Sequence, residues 1–454
     1  MIQMSNSEMP PADDQKQIFT QKIIKPTAKV LQEYDSGKPI TIIYHNDTDG
    51  LTSGTIMATT LKRIGRQVIS HCMEQIYPVP LAKIYENASG PVIFMDLGIN
   101  AQQENLIRQQ TGDKPTIIID HHGIFSLAPK INIGKDNVFD VNCNKYGIGG
   151  DRYASASTLT YIFSSELAQI DDLSNLAVLG AVSDRNHMSG EEKGLFSAKG
   201  LDHTILAASQ NVRIDDGIFK IKLKKEGDFL LMEQVVDSVT LLGSAGYRKK
   251  AQDLGIDTQI TGPELAGQLL TQGYTAQMDQ AIKYLNKLRD VAYEGVLNRL
   301  REGDYTTLDK IFFFDAKQAF QGMGVKTIGS FCNHLITEMP KSQPDFIGVN
   351  KYILGAQPLE PIPFGDTTIP AFEAEDLLKI SVRTPLELQE AIKIGTSVEV
   401  AKLLHEVTPD EVSSTHNCRG STIISRTNLE EFLRECEKYI RTRKTKALHL
   451  PKSI

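Results

Sequence analysis

Thiolate chemistry, membrane insertion and a broad basic surface are what this chain lacks the residues for. Its five cysteines, Cys72, Cys143, Cys332, Cys418 and Cys436, are scattered and contain no CxxC pair. That argues against a disulfide framework or a thiolate zinc site. Cys418 lies close to His416, but no second pair completes a zinc set, and all five read as ordinary reduced thiols. No apolar run approaches the ~20 residues that span a bilayer, so no membrane association is expected. The run Ile311-Phe-Phe-Phe314 is only of strand length. Basic residues are not in excess either: 49 Lys and Arg face 56 Asp and Glu, for a net charge of −7. A protein that coats nucleic acid electrostatically is disfavoured, whereas an enzyme whose metal ions and local groove neutralise phosphate is not. The polar stretch 1–17 has neither the basic start nor the apolar core of a signal peptide. It reads as a tail, and a cytoplasmic location is expected. There is no internal repeat or low-complexity tract.

At 454 residues the chain is too long for one ordinary core, so two or three domains are expected. From Pro39 to about Gly217, short β-branched runs (40–45, 67–71, 91–96 and 115–120) alternate with helical stretches (51–64 and 101–110). This alternation predicts a parallel, doubly wound sheet. Residues 158–170 and 173–183 have apolar positions at helical spacing. Residues 218–300 change character and read as a largely helical connecting module, with a long amphipathic pattern at 277–301. A second α/β unit follows, with strand candidates at 310–315, 346–354, 379–383 and 421–425 and a Gly-rich turn into a helix at 324–335. The glycines at 322, 324 and 329 read as tight turns. Expected boundaries are 1–36 for the tail and lead-in, 37–217 for the first α/β domain, 218–300 for the module and 301–454 for the second α/β domain, with the active site in a cleft between the two α/β domains. The basic C-terminal run Arg434, Lys438, Arg441, Arg443, Lys444, Lys446 and Lys452 reads as a solvated helix end.

Acidic and histidine clusters carry the chemistry. Thr116-Ile-Ile-Ile-Asp120-His121-His122 reads as a buried strand running into two imidazoles behind a carboxylate. Similar settings recur at His45-Asn-Asp47-Thr-Asp49-Gly50, Asp96-Leu-Gly98 and Gly180-Ala-Val-Ser-Asp184. In open α/β sheets, ligands bind beyond the carboxyl ends of the strands. Carboxylates gathered there repel one another unless divalent cations neutralise them, so a polynuclear metal centre is expected. A mixed Asp/His set suits Mn²⁺ better than Mg²⁺ or a thiolate-rich zinc site. Two such ions would share a bridging water and a bridging carboxylate, and would activate water against a phosphodiester. His187, three residues after Asp184, reads as a surface-loop histidine.

In that order these four motifs resemble those of the DHH phosphoesterase superfamily, and within it the RecJ-like exonucleases of archaea. Asn142-Cys-Asn144…Gly147…Ser155-Ala-Ser157 is similar to the stretch between the family's third and fourth motifs. The resemblance implies that Asp47, Asp49, Asp96, His121 and Asp184 are metal ligands, with His45 a further one. His122 would lie near the scissile phosphate, and Asp120 would support the imidazoles. Two Mn²⁺ per chain are implied, with Mg²⁺ as a substitute. The second α/β domain resembles the family's associated substrate-binding domain: Lys379-Ile-Ser381-Val-Arg383 is similar to its Lys-x-Ser-x-Arg strand. His416 would be the histidine of its Gly-Gly-His motif, with Ser414 and Thr415 in place of the two glycines and Arg419 replacing a small residue. Ser381, Arg383, His416 and Arg419 are thus the implied nucleic-acid contacts, with a salt bridge the competing reading for Arg383. The implied function is exonucleolytic hydrolysis of single-stranded DNA or RNA, in replication or repair, and a GINS or replicative-helicase partner. Two rival functions are a small-substrate phosphodiesterase, acting on oligoribonucleotides or cyclic dinucleotides, and a non-catalytic replisome scaffold.

Overall fold

The structure, a computed structural model, describes residues 12–123, 137–184, 194–224, 226–255, 260–337, 350–365, 367–373, 376–408 and 412–443. The chain forms two compact units. The first runs through Leu285 and includes Ile362–Ile369; the second takes Asn286–Pro361 and the chain from Pro370 onward. Among the described residues no helix is long and apolar enough to cross a membrane.

The first unit is built on β1 (Ile40–His45), β2 (Val68–Met73), β3 (Val92–Met95), β4 (Thr116–Asp120) and β5 (Val138–Asn142). All are parallel, in the order β2-β1-β3-β4-β5. The apolar runs of β1, β3 and β4 are buried along almost their whole length, as expected of parallel strands covered on both faces. β2 is an edge strand and leaves Ile69 exposed. Strand order reverses between β1 and β3, so the crevice beyond their carboxyl ends is the topological switch point of the sheet. Helices Thr48–Arg63, Ala156–Ser165 and Ser174–Ser183 pack against one another beside it.

Residues 218–300 are less uniformly helical than their pattern predicts. Val212–Asp215 (β6), Ile218–Ile221 (β7) and Leu230–Leu231 (β8) form a small antiparallel sheet. It is closed by a tight turn at Asp216 and Gly217, both at positive φ. Helices Met232–Gly243, Gly262–Gln272 and Ala276–Arg301 follow. The strand β5 was not anticipated. A short antiparallel hairpin, β12 (Ile362–Phe364) with β13 (Thr367–Ile369), also belongs to this unit and stacks Phe364 on His71.

The second unit carries a mixed sheet. Its strands are β9 (Thr306–Thr307), β10 (Ile311–Asp315), β11 (Tyr352–Pro358), β14 (Leu377–Arg383), β15 (Val412–His416) and β16 (Arg419–Ser425), in the order β15-β16-β14-β11-β10-β9. Only β10 and β11 run parallel. The strand anticipated at 346–354 begins at Tyr352; residues 346–349 lie outside the described residues. One sheet face, with Ile311, Tyr352, Leu354, Leu378, Ile380 and Val382, builds a core with helices 386–393, 400–407 and 429–442. Two basic residues of the last of these helices are in ion pairs, Lys438 with Glu435 and Arg441 with Glu437; residues 444–454 lie outside the described residues.

Close packing of the helix Thr48–Arg63 on β1 depends on Gly54, where a Cβ would meet the Tyr44 ring at 2.5 Å. Gly54→Val is expected to destabilise the protein by about 1–3 kcal/mol through overpacking, read as a lower denaturation midpoint at unchanged m-value.

Candidate metal centre

Each sequence-predicted acid or histidine of the N-terminal half reaches the switch point by its own local device. His45 ends β1. Asp47 caps the helix Thr48–Arg63, its carboxylate accepting the Gly50 N–H at 3.0 Å. Asp49 sits in that helix's first turn, fully buried. Gly50 is required there, because a Cβ would come within 2.5 Å of His45 O. Asp96 follows β3 at φ 61, a left-handed conformation that costs about 1–3 kcal/mol for a residue with a side chain and is found mainly at functional sites. Asp120 ends β4, and His121 and His122 leave the strand together. Asp184 stands at the C-terminal end of the helix Ser174–Ser183. His187 lies outside the described residues.

The side chains converge. His45 Nδ1 lies 3.3 Å from Asp47 Oδ2 and 3.5 Å from Asp96 Oδ2. His121 Nε2 lies 3.3 Å from Asp96 Oδ1, 3.1 Å from Asp184 Oδ2 and 3.7 Å from Asp49 Oδ2. Three groups of donor atoms therefore form, His45/Asp47/Asp96, Asp49/His121/Asp184 and, joining them, Asp96/His121/His122, the atoms of each lying within 4.8 Å of one another. Asp96 presents Oδ2 to His45 and Oδ1 to His121. Its Oδ2 is buried without a hydrogen bond, a costly state for a carboxylate oxygen that a cation between Asp96, Asp47 and His45 would relieve. The donor set and the orphaned oxygen both fit divalent ions of the Mn²⁺ kind.

Neighbouring groups fix these side chains. Asp49 accepts the backbone N–H groups of Ala156 and Ser157 at 2.7 and 2.9 Å, at the start of the helix Ala156–Ser165. Gly180 leaves the necessary room, since a Cβ there would meet Asp49 Oδ1 at 2.3 Å. Asp120 Oδ1 accepts from the backbone N–H of His121 and of His122 and sits 2.7 Å from His122 Nδ1, while Oδ2 accepts the Ile99 N–H. That leaves His122 Nε2 as the ring nitrogen turned away from Asp120. Asn144 Nδ2 donates to the carbonyls of His121 and His122 at 2.7 and 3.0 Å.

Sequence reasoning missed the other clamp. The C-terminal end of the helix Met232–Gly243 packs on the loop after β1: Asn46 Nδ2 donates to Gly243 O at 2.8 Å, and the Thr48 and Thr240 hydroxyls lie 2.8 Å apart. A Cβ on Gly243 would sit 2.0 Å from Asn46 O. The glycine before Ser244 was the available signal.

Of the second unit's candidates, Ser381 and Arg383 lie on β14, register-paired with Ser421 and Arg419 of β16. His416 pairs with Arg419, and Ser414 falls at an irregularity between β15 and β16. Gly329 is not a turn glycine as expected. It lies in the helix Lys326–Thr337, where a Cβ would meet Arg383 Nη2 at 2.6 Å and Ser381 Oγ at 3.0 Å. Arg383 donates to Asn333 Oδ1, Val382 O and Gly420 O. No carboxylate partners it among the described residues, so the salt bridge entertained for it is absent there. Burial, with Arg419 nearby, pushes its pKa down to about 10.

With this geometry in place the class of fold is clear: an α/β fold of the DHH type. Residues 39–181 match the DHH family, N-terminal domain. An uncharacterized protein of Methanocaldococcus jannaschii is 32% identical over 163 residues, a match that spans 35% of this chain and 35% of that relative. Among solved structures, the DHH domain of a member of the s1p family of ribosomal proteins superposes with a TM-score of 0.56 at 15% identity, covering 97% of this chain and 95% of the other. An exonuclease RecJ bound to manganese gives 0.52 at 14% identity, covering 92% and 94%.

Burial, then the neighbouring carboxylates, pushes the Asp49 and Asp96 carboxyls well above the usual range. Burial opposes the charged form of His121 and His122, but adjacent carboxylates, Asp184 foremost for His121 and Asp120 for His122, raise both. Burial opposes the charged form of Asp120 too, yet the His122 charge and hydrogen bond hold it low. A group whose pKa is raised by folding contributes stability at low pH and loses it as pH rises through the folded value. Asp49, Asp96, His121 and His122 all act in that sense, while Asp120 is ionised throughout the neutral range. The metal-free protein is expected to lose stability from pH 5 to pH 9 in denaturant titrations with EDTA. Added Mn²⁺ should flatten that slope.

Proposed function

We propose that this protein is a metal-dependent phosphodiesterase that hydrolyses single-stranded DNA or RNA from an end, with two Mn²⁺ per chain and Mg²⁺ as a weaker substitute. The observation that carries the reading is Asp96, whose two carboxylate oxygens each face a separate Asp/His group. His45, Asp47 and Asp96 would hold one ion, and Asp49, Asp96, His121 and Asp184 the other. Bound there, the ions would supply a water of lowered pKa and electrostatic stabilisation of the phosphoryl oxygens. The protein's own part is orientation. Asp120 fixes the His122 ring through Nδ1, and His122 Nε2 would contact a phosphate oxygen or move a proton. In the second unit, Ser381, Arg383, Arg419 and His416 would bind backbone phosphates; the uncompensated Arg383 supports that role. A GINS or replicative-helicase partner rests on the resemblance to archaeal RecJ-like exonucleases and would be tested by co-purification.

The direct test is Mn²⁺-dependent digestion of single-stranded DNA and RNA labelled at either end, beside dinucleotides and cyclic dinucleotides. Progressive shortening from one end supports the reading. Cleavage of the minimal substrates alone would favour a small-substrate phosphodiesterase, and Mn²⁺ binding without any hydrolysis would favour a scaffold. Asp96→Ala is expected to abolish hydrolysis while the apo protein stays as stable as wild type or gains stability, because a buried carboxylate with like-charged neighbours has been removed. Full activity of that variant at saturating Mn²⁺ would take Asp96 out of the centre. Arg383→Ala should raise KM on long strands with little change in kcat. It should also reduce the salt slope of binding by roughly 0.7, and spare dinucleotides.

A further inference from the structure

The helix Ala156–Ser165 begins against two completely buried carboxylates. One is Asp49; the other is Asp202, on the helix Leu201–Ala208 and outside every motif considered above. Asp202 Oδ1 accepts the Ser155 N–H at 2.9 Å. The next two backbone N–H groups, of Ala156 and Ser157, go to Asp49 Oδ2 and Oδ1. The fourth, of Thr158, goes to Ser155 Oγ at 3.2 Å, and that oxygen lies 2.9 Å from Ser157 Oγ. All four donors that a helix start leaves unpaired are thereby used, in a fixed division: one to Asp202, two to Asp49, one to the cap. Asp49 Oδ2, which accepts the Ala156 N–H, also lies 3.7 Å from His121 Nε2, so the helix start and the imidazole meet at the same carboxylate.

We propose that Asp202 is a positioning residue for the metal centre: by holding the Ser155 N–H it orients the helix start that presents Asp49 to the ion shared with His121 and Asp184. The inference rests on the two-ion reading of the site. Asp202 is in neither donor group of the site, and it acts on the helix start through Ser155, whose N–H and, at 3.5 Å, hydroxyl both donate to Asp202 Oδ1. The role requires an oxygen acceptor at position 202 rather than a charge, because the group held is a neutral N–H. Asp202→Asn, with its amide oxygen toward Ser155, keeps the acceptor; Asp202→Ala removes it.

The test is Mn²⁺ affinity of the full-length protein, with free ion counted by its EPR signal and folding checked by circular dichroism. Asp202→Ala should weaken the second-bound or weaker Mn²⁺ by about 10–100-fold, whereas Asp202→Asn stays close to wild type. At saturating Mn²⁺, kcat and KM of Asp202→Ala on a single-stranded substrate should return toward wild type, since nothing that touches the substrate has changed. Wild-type Mn²⁺ affinity in folded Asp202→Ala would overturn the proposal. So would an Asn variant as weak as the Ala variant, which would make charge the operative property. If Asp202→Ala does not fold, Asp202→Ser, too short to reach the Ser155 N–H, takes its place; failure of both to fold would make Asp202 an anchor of the fold alone. Absence of Mn²⁺ binding in wild type is a different result: it would remove the two-ion reading itself.

Discussion

The structure depends on one electrostatic constraint, the gathering of Asp49, Asp96, Asp120, His121 and their partners in a nearly dry crevice. Asp49, Asp96, Asp120 and His121 are all buried, and in water-poor surroundings uncompensated carboxylates are among the costliest groups a fold can contain. The chain meets that cost in two ways. Some carboxylates are given fixed donors: Asp120 takes three backbone N–H groups and the His122 ring nitrogen, and Asp49 takes two. Asp96 has one orphaned oxygen instead. In the proposed two-ion reading, that difference separates supporting residues from the carboxylate that would hold a cation.

The surrounding architecture follows from holding those groups still. The loop after β1 is pinned from one side by Gly50 against His45 and from the other by the Met232–Gly243 helix on Asn46 and Thr48. The His121–His122 step is pinned by Asn144 through both carbonyls, and Gly150 fits where any side chain would strike His121 O. Glycine here supplies space for backbone-to-backbone approach more than conformational freedom. A metal centre made of side chains from three strand ends and two helices needs that precision, since small displacements of ligands are costly in affinity.

Much of this was legible in the sequence, for a physical reason. β1, β3 and β4 are apolar β-branched runs ending in an acid or histidine, and both their burial and their carboxyl-end placement follow from parallel-sheet topology. What stayed hidden depends on tertiary partners. β5 mixes polar and apolar residues in Val138-Phe-Asp-Val-Asn142 and carries no clean period. The β6–β8 sheet sits inside a stretch whose later helices dominate its pattern. Asp202 looks like an ordinary acid in a helix's first turn, and only folding shows that its N–H partner is 47 residues earlier. Arg383 could be read as salt-bridged or free; its neighbours Gly329, Asn333 and Gly420 come from distant segments.

Arg383 and Asp96 are opposite in charge, and each is incompletely compensated: Arg383 has no carboxylate partner among the described residues, and Asp96 keeps one oxygen without a hydrogen bond. Asp96 has His45 and His121 as basic neighbours in a crevice that also holds Asp47, Asp49 and Asp184. Arg383 lies on a sheet face that also carries Ser381, Arg419 and Ser421. Burial lowers the Arg383 pKa and raises that of Asp96, so each is a group whose charged form burial disfavours. Under the proposed function, a chain of net charge −7 needs no broad basic surface to meet a polyanion, because metal ions at the Asp/His groups would neutralise part of its charge.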